Sequence, residues 1–439
     1  MINKIPHFAL VLTCFVVCSA KNSILQAQVP PSNYDESKIP FDTFPDPFTF
    51  LDGSKVETAE DWKNKRQPEI MEVFAREMYG QSPAAPEFVE FEFISKDENA
   101  LNGKAVREEI DITLAVTESP TVMRMLIYRP KGKKNVPAFL TLNFGGNHSI
   151  SDDPGISLNE NWMRNRSDRG YENNKATEKT RGTASSRWPA EMIVNRGYAL
   201  CTIYYGDIDP DFDDGFKNGV HQHFYEKDQE KLRPDQWGSI AAWAWGLSRG
   251  LDYLEINDAI DAKRVAVMGH SRLGKTSLWA GANDPRFAIT ISNDSGCGGA
   301  ALNRRRIGES VTRINTSFPH WFCDNFVKYN HNEDALPVDQ HLLVAAIAPR
   351  PVYIASAVED TWADPKGEFL AAKMADPVYR FLGTNGMGGK ATPTEHPAVD
   401  QAIKSGRIGY HVRSGKHDVT DFDWNQYLDF ADLHLMKKK

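Results

Sequence analysis

Residues 269–275, Gly-His-Ser-Arg-Leu-Gly-Lys, place a serine, an arginine and a lysine within five positions. They follow the apolar run RVAVMG and open the segment LGKTSLWAGA, so the pattern predicts a buried strand, a sharp turn and a helix. At such a turn a serine stands exposed as a nucleophile, and the next backbone N–H stabilises an oxyanion. The segment is one residue longer than the usual G-x-S-x-G elbow. We predict that Ser271 is a nucleophile; the alternative is a helix N-cap serine.

A serine nucleophile needs a histidine base and a carboxylate that orients it, and in strand–helix hydrolases the chain order is serine, acid, histidine. His417, in SGKHDVTDFDW, lies between the last predicted strand and the closing helix and is the predicted base. His411 lies within that strand, where we expect it to be packed. Asp360 and Asp294 each follow a predicted strand, and either of them could orient the histidine; Glu359 is a weaker third candidate.

The elements around the turn alternate between strands and helices. Upstream, FVEFEFISK, AVREEIDITLAV and TVMRMLIYRP alternate in polarity and predict antiparallel strands. From residue 136 onward, apolar strands such as VPAFLTLNF alternate with helices such as WGSIAAWAWGLSRGLDYL. Apolar strands between helices are typical of a mostly parallel sheet covered on both faces. We therefore predict an α/β-hydrolase fold, a single three-layer sandwich domain with helices on both faces of the sheet.

The predicted catalytic domain spans residues 59–439 and carries long polar insertions around 150–190 and 206–235. Loops of this length inside a compact domain are usually functional or disordered. The aspartate-rich stretch YYGDIDPDFDDG does not follow EF-hand spacing, so we expect it near the site without a metal. FGGNHS, residues 144–149, follows a central strand; it supplies either a second oxyanion amide or simply a glycine turn.

The N-terminal residues 1–27 have the pattern of a signal peptide, an apolar run followed by small residues, with cleavage after Ala20 or Ala27. The apolar run is too short for a membrane span. The residue before Cys18 is too large for a lipid-attachment motif, so a lipoprotein is disfavoured. We expect a secreted or periplasmic protein with no membrane span and an extended lead-in over residues 28–58.

Composition excludes several other classes of function. The net charge of −8, from 51 Lys and Arg against 59 Asp and Glu, offers no basic stripe for nucleic acid. No CxxC, HExxH or phosphate-loop motif is present, so we expect no metal and no cofactor, and we expect a monomer. After removal of the signal, Cys201, Cys297 and Cys323 remain. The last two could form a disulfide, or all three could be free and buried, with Cys201 on a strand.

Several motifs together resemble a known family. The elbow matches G-[CH]-S-R-x-G-K of the glucuronoyl esterases, carbohydrate esterase family 15, which accounts for its extra residue. The resemblance covers roughly the last two-thirds of the chain. It includes, in the family's order, SGCGGAALNRR, GES, FPHWF, LPVDQHLLVAAIAPRPVY, WADPKGEF and HDVTDFDW. It implies an α/β-hydrolase fold and a serine esterase without a cofactor.

The resemblance also implies roles for four further residues. Arg272 would donate to the oxyanion, for which a guanidinium is a strong, charge-assisted donor. Lys275, Glu309 and Trp362 would bind the uronate. The alternatives are core packing for the tryptophan and a weak surface salt bridge for the other two.

The triad acid departs from the commonest family pattern. Many members have a glutamate in an E-S-G motif, where this chain has Asp294. Other bacterial members use the later position, which is Asp360 here. Aspartate is shorter than glutamate by one methylene, so its carboxylate reaches less far from this position. Alignment with the family motif narrowly favours Asp294 as the triad acid, whereas the usual position of the acid in this fold favours Asp360.

The predicted activity is hydrolysis of the ester between a (4-O-methyl-)glucuronic acid carboxyl on glucuronoxylan and an alcohol, as in lignin–carbohydrate linkages. It would proceed by a Ser-His-Asp acyl-enzyme mechanism. An acetylxylan or other carbohydrate O-acetyl esterase would use the same triad. A non-catalytic carbohydrate-binding relative is the other alternative, and the intact Ser271 and His417 argue against it.

Overall fold

The computed structural model describes residues 31–40, 43–115, 117–389 and 391–436, and the predicted signal peptide lies outside them. Nine strands in this part of the chain form one sheet. They are β1 Glu90–Asn99, β2 Ala105–Ala115, β3 Thr121–Pro130, β4 Val136–Asn143, β5 Ala199–Tyr204, β6 Ile260–His270, β7 Ile289–Asn293, β8 Val352–Ala357 and β9 Ile408–Arg413.

The sheet has the order β1-β2-β3-β5-β4-β6-β7-β8-β9. Strands β1, β2, β3 and β5 pair antiparallel in that order. The six strands β5, β4, β6, β7, β8 and β9 are mutually parallel. The carboxyl ends of the parallel strands therefore lie along one edge, where ligands bind in open α/β sheets. The predicted α/β-hydrolase fold is confirmed.

Helices and short helical turns connect these strands. The helices are α1 Ala59–Asp61, α2 Gln67–Phe74, α3 Ala100–Gly103, α4 Ala190–Asn195, α5 Ser239–Ile256, α6 Arg272–Asn283, α7 Val311–Ser317, α8 Gln340–Ala346, α9 Pro365–Phe381 and α10 Asp421–Leu435. Two π-helical segments, Trp62–Arg66 and Ala75–Tyr79, continue α1 and α2 into one helical stretch that ends at Gly80.

The central strands bury both faces, which explains their continuous apolar character. Along β6, Val265 and Val267 join one hydrophobic cluster, while Ala266 and Met268 join the other. Successive strand residues point to opposite faces, so each face receives alternate side chains. The first cluster includes residues of α2, α5, α6, α8 and α9, and the second includes residues of α4 and α10. The three layers of the prediction are therefore present.

The lead-in before α1 has no strand and packs through polar contacts in its described part. Glu36 forms ion pairs with Arg305 and, at 2.7 Å, with Lys366. The Nε of the buried Arg66 donates to the carbonyl of Pro47 at 3.1 Å. These contacts tie the lead-in to the domain. Among the described residues, no helix has the length and apolar character required to cross a membrane.

Of the two alternatives for Cys297 and Cys323, the disulfide is wrong and the free, buried thiols are confirmed. Both are buried free thiols, as is Cys201 on β5. The Cys297 Sγ donates to Asn303 Oδ1 at 3.3 Å, and the Cys323 Sγ approaches the Arg76 carbonyl at 3.7 Å. Burial raises the pKa of Cys323 to about 12 and that of Cys297 well above its ordinary value. The thiolate needed for oxidation is therefore strongly disfavoured in the folded protein.

All three thiols should resist alkylation at pH 8 in the native protein, because burial keeps them protonated and inaccessible. After denaturation without reductant, all three should react completely. Peptide mass spectrometry with iodoacetamide checks this. Labelling of Cys297 and Cys323 that requires prior reduction would contradict the structure.

Candidate active site

Ser271 occupies the sharp turn between β6 and α6. Its backbone has φ 59° and ψ −128°, a region that residues other than glycine rarely adopt. Its N–H donates to the carbonyl of Asn293 on β7 at 2.9 Å, which fixes the turn against the sheet. Ser271 stands at the N-cap position of α6, but its side chain makes no capping hydrogen bond, so capping does not account for the serine. The residue instead lines a cavity at the carboxyl edge of the sheet.

Two glycines make this turn possible. A Cβ on Gly269 would lie 1.8 Å from the carbonyl oxygen of Leu273, closer than any real contact. A Cβ on Gly274 would lie 3.0 Å from the carbonyl oxygen of Asn293. The chain can therefore fold tightly back on itself and begin α6 at Arg272. The first N–H of a helix has no partner within the helix, so the Arg272 amide is available to an anion.

His417 is oriented by Asp360. The His417 Nδ1 lies 2.6 Å from Asp360 Oδ2, and the carboxylate is buried while the imidazole is 40% exposed. The histidine lines the same cavity as Ser271. With Nδ1 engaged, Nε2 is the ring nitrogen that can exchange a proton with a bound group. The partner of His417 thus lies after β8, the usual position of the triad acid in this fold.

Asp294 lies beneath this pair but contacts the backbone instead of the imidazole. Its Oδ2 accepts the N–H of Asp418 at 3.2 Å and lies 3.5 Å from Nη2 of Arg413. Burial raises the pKa of Asp294 well above its ordinary value, and the charges of Glu368 and Asp360 raise it further. A carboxyl whose pKa is raised is a poorer partner for a developing imidazolium than one that ionises readily.

Sequence reasoning missed the residues that hold the histidine loop. Arg413 Nη2 donates to the carbonyls of Lys416 and Asp418, at 2.8 and 2.6 Å, on either side of His417. Its Nε donates to Asp423 at 2.8 Å. The partners of Arg413 lie within ten residues of it along the chain, but no motif in the sequence marks them. A second buried carboxyl ties the turn after β7 to β8.

That carboxyl belongs to Glu368 on α9. It accepts the backbone N–H groups of Ser295 and Gly296 at 2.8 and 2.9 Å, and the hydroxyl of Ser356 at 2.6 Å. Burial raises its pKa to about 7 despite these donors. Oxygens of Asp294 and Asp360 and a ring nitrogen of His417 all lie within 4.8 Å of one another. The floor of the site is therefore rich in carboxyl groups.

Arg272 is held over the cavity by Asp211. The carboxylate pairs with Arg272 Nη1 and accepts from His320 at 3.0 Å, Trp321 at 2.7 Å and Tyr205 at 3.0 Å. Burial alone would raise the pKa of Asp211, but the His320 hydrogen bond and the Arg272 charge outweigh it and keep that pKa below its ordinary value. Asp211 lies in the aspartate-rich loop, which the sequence places near the site with no role assigned.

The cavity that contains Ser271 has a volume of about 420 Å³ and an arginine-rich wall. The segment 163–188, within the first predicted insertion, provides much of it, together with Phe144 and Tyr205 at the ends of β4 and β5. The arginines that line it are Arg164, Arg166, Arg169, Arg187 and Arg272. The cavity therefore has a positive wall next to a serine–histidine pair.

Comparison with known proteins identifies the family. A family model described as "Glucuronyl esterase, fungi" matches residues 189–383. The chain is 53% identical over 93% of its length to "Carbohydrate esterase MZ0003" from an unknown prokaryotic organism, and covers 93% of that protein. The chain belongs to carbohydrate esterase family 15.

Solved structures of family 15 members share its architecture. One, a promiscuous family 15 esterase from a marine bacterial metagenome, is 53% identical; the match covers 92% of this chain and all of that one, with a TM-score of 0.84. Another, a glucuronoyl esterase from Solibacter usitatus, is 44% identical over 91% of this chain and all of that one, with a TM-score of 0.85. The predicted family resemblance and the class of enzyme, a carboxylic ester hydrolase, are confirmed.

The positions that correspond to the family's uronate residues lie on the other side of the elbow. Lys275 Nζ is buried and donates to the carbonyls of Ser295 and Cys297, each at 2.6 Å, and lies 3.3 Å from Glu309. The alternative of a surface salt bridge is therefore wrong. Trp362 is 38% exposed, so core packing is also wrong for it, and it stacks against the guanidinium of Arg313 at 5.5 Å.

Asp360→Asn in this family 15 esterase should lower kcat by about 10⁴, because an amide would stabilise the wrong tautomer of His417. Asp294→Asn should lower it less than about tenfold, because an amide oxygen still accepts the Asp418 N–H. Steady-state kinetics on one ester substrate, with thermal unfolding as a check on folding, measures both. A larger loss for Asp294→Asn would assign the histidine partner to Asp294.

Proposed function

We propose that this family 15 enzyme is a glucuronoyl esterase, which cleaves the ester between a (4-O-methyl-)glucuronic acid carboxyl on glucuronoxylan and an alcohol, as in lignin–carbohydrate linkages. One observation supports the chemistry of this proposal. Ser271 and His417 line the same cavity, the serine in a strained elbow and the histidine paired with Asp360. Support on the substrate comes from relatives such as the 4-O-methyl-glucuronoyl methylesterase of Schizophyllum commune, 28% identical over 87% of this chain and 82% of that protein.

The reaction begins when Ser271 Oγ attacks the uronoyl carbonyl carbon. His417 Nε2 takes the hydroxyl proton, and Asp360 stabilises the imidazolium that forms. As the tetrahedral intermediate collapses, the histidine gives this proton to the alcohol oxygen, and the C–O bond of the ester breaks. Water then loses a proton to His417 and attacks the acyl-enzyme, which releases the uronic acid and restores the serine.

Arg272 stabilises the oxyanion in two ways. Its backbone N–H lies at the N-terminus of α6, and its guanidinium lines the cavity with 22% of its side chain exposed. Phe144, Trp321 and Phe318 lie within 4.8–5.9 Å of the guanidinium carbon, which restricts its motion. The positive charge therefore stands ready before charge develops on the substrate.

The uronate would bind on the β7 and β8 side of the elbow. Lys275 and Glu309 are buried there as a pair, and Trp362 offers an exposed aromatic face. A carboxylate accepts hydrogen bonds from two sugar hydroxyls, and an indole covers the apolar face of a pyranose.

The location, oligomeric state and domain boundaries that we propose are those expected from the sequence. We propose a secreted or periplasmic monomer, in which residues 1–27 are removed and 28–58 lead into a catalytic domain over 59–439. The proposed reaction uses only groups of the protein and water and needs no cofactor.

The first test compares benzyl glucuronate with acetylated xylan. The wild type should hydrolyse the glucuronate ester with the higher kcat/KM, and Ser271→Ala should lose at least about 10⁴-fold on it. Product formation by liquid chromatography gives both rates. Activity on acetyl groups alone would replace the proposed acyl specificity with that of an O-acetyl esterase. Absence of both activities, together with no labelling of Ser271 by a fluorophosphonate, would indicate a non-catalytic relative.

The second test concerns Asp211 as a positioning residue for Arg272. Asp211→Asn should lower kcat by about 10² with little change in KM, because the guanidinium loses its anchor and the oxyanion its donor. Asp168→Asn, which removes the exposed partner of Arg166, is the matched control and should change kcat less than twofold, about the worth of an exposed pair. If Asp211→Asn lowers both kcat and the melting temperature, and Asp211→Glu restores neither, Asp211 has a structural role only.

A further inference from the structure

A second cavity lies beside the catalytic one and is larger, at about 970 Å³. It lies near the start of β3 and the end of β5, between segments 157–162 and 206–218. Because β3 is antiparallel to β5, its first residues lie at the same edge of the sheet as Ser271. Its volume is that of sites that bind drug-sized ligands, about 300–1,000 Å³. No step of the proposed reaction uses its walls.

The two cavities share a partition of consecutive residues. Trp162 lines the second cavity and Met163 the catalytic one; likewise Gly206 lines the second and Tyr205 the catalytic one. The hydroxyl of Tyr204, which lines the catalytic cavity, donates to the Trp162 carbonyl at 2.7 Å and joins the two strips of the partition. The two cavities are therefore immediate neighbours, separated by one layer of residues.

An aromatic pair forms the apolar part of the second cavity. The rings of Trp162 and Phe212 lie 4.5 Å apart between centroids, tilted by 44°, and both residues are half-buried. Half-buried aromatic faces next to open space stay available for a ligand with a flat apolar surface. The C–H face of a pyranose ring is such a surface.

Planar polar groups surround this pair and are fixed in place. Arg124 and Asp111 form a bidentate pair with both contacts at 2.6 Å, and 31% and 17% of their side chains remain exposed. The amide nitrogens of Asn159 and Asn161 each donate to Oδ1 of Asp207 at 2.7 Å. Such groups exchange hydrogen bonds with neighbouring hydroxyls in a fixed geometry. Most of the lining is polar, which disfavours a purely apolar ligand.

We propose that the second cavity is a carbohydrate subsite that holds sugar residues of the polysaccharide chain carrying the ester, with Trp162 and Phe212 as the stacking platform. This rests on the proposed function only in its choice of polysaccharide. The platform would raise affinity for a polymeric substrate over a small ester, because contacts far from the reacting bond add binding energy only when the chain is long enough to reach them.

Binding is tested in the Ser271→Ala background, so that no substrate is consumed. Affinity electrophoresis in gels that contain glucuronoxylan gives an apparent Kd. Adding Trp162→Ala should weaken binding about tenfold, the effect of losing roughly 50 Å² of apolar contact. Asn161→Ala should weaken it about fivefold, the worth of one hydrogen bond, and serves if the tryptophan variant fails to fold. Phe88→Ala, at an aromatic residue that is 72% exposed and outside both cavities, is the matched control and should bind like the parent.

A catalytic readout separates this proposal from the proposed function. In the active enzyme, Trp162→Ala should reduce kcat/KM on a glucuronoxylan ester about tenfold more than on benzyl glucuronate. Equal losses on both esters, or an unchanged Kd for xylan, would overturn the subsite. Trp162-dependent binding of a dimeric lignin aryl ether, without such binding of xylan oligosaccharides, would also overturn it. If xylan binding depends on Trp162 but no glucuronate ester is cleaved, the proposed function fails and the subsite stands.

Discussion

The strained backbone of Ser271 is the constraint on which the site depends. A φ of +59° at a serine costs of order 1–3 kcal/mol, and it persists because the surroundings fix it. The bond from its N–H to the Asn293 carbonyl and the lack of a side chain at Gly269 provide that support. The turn sets where the Ser271 hydroxyl stands and where α6 begins. Every other group of the site is arranged around these two points.

Loops from opposite halves of the sheet complete the arrangement. On the β8 and β9 side, Asp360 and the Arg413 contacts fix His417. On the β5 side, Asp211 fixes Arg272. The proton-transfer group and the anion-binding group are thus held by different parts of the chain, and the elbow on β6 lies between them. Sequence changes in the loops on the β4 and β5 side can therefore alter which ligand binds without moving His417.

The hydrophobic pattern and the motif spacing were sufficient to predict the strands, the helices and the elbow, because both are properties of residues that are near each other in the chain. They could not choose between Asp294 and Asp360, because both follow buried strands and only the register shows which carboxylate reaches the imidazole. Local signals also could not decide between a disulfide and free thiols at Cys297 and Cys323, because both are buried in similar apolar surroundings. The Asp211–Arg272 pair is separated by 61 residues and has no local pattern.

The buried carboxyl of Glu368 gives the floor of the site its own dependence on pH. Its pKa is about 7 in the folded chain, against an ordinary value of 4.5, so between these pH values the folded state holds a proton that the unfolded state has lost. This group's contribution to stability is therefore fully present below about pH 4.5 and declines as the pH rises towards 7. The same carboxyl receives the backbone donors of the turn after β7. Titration of Glu368 thus links the acidity of the medium to the stability of the turn that carries Asp294.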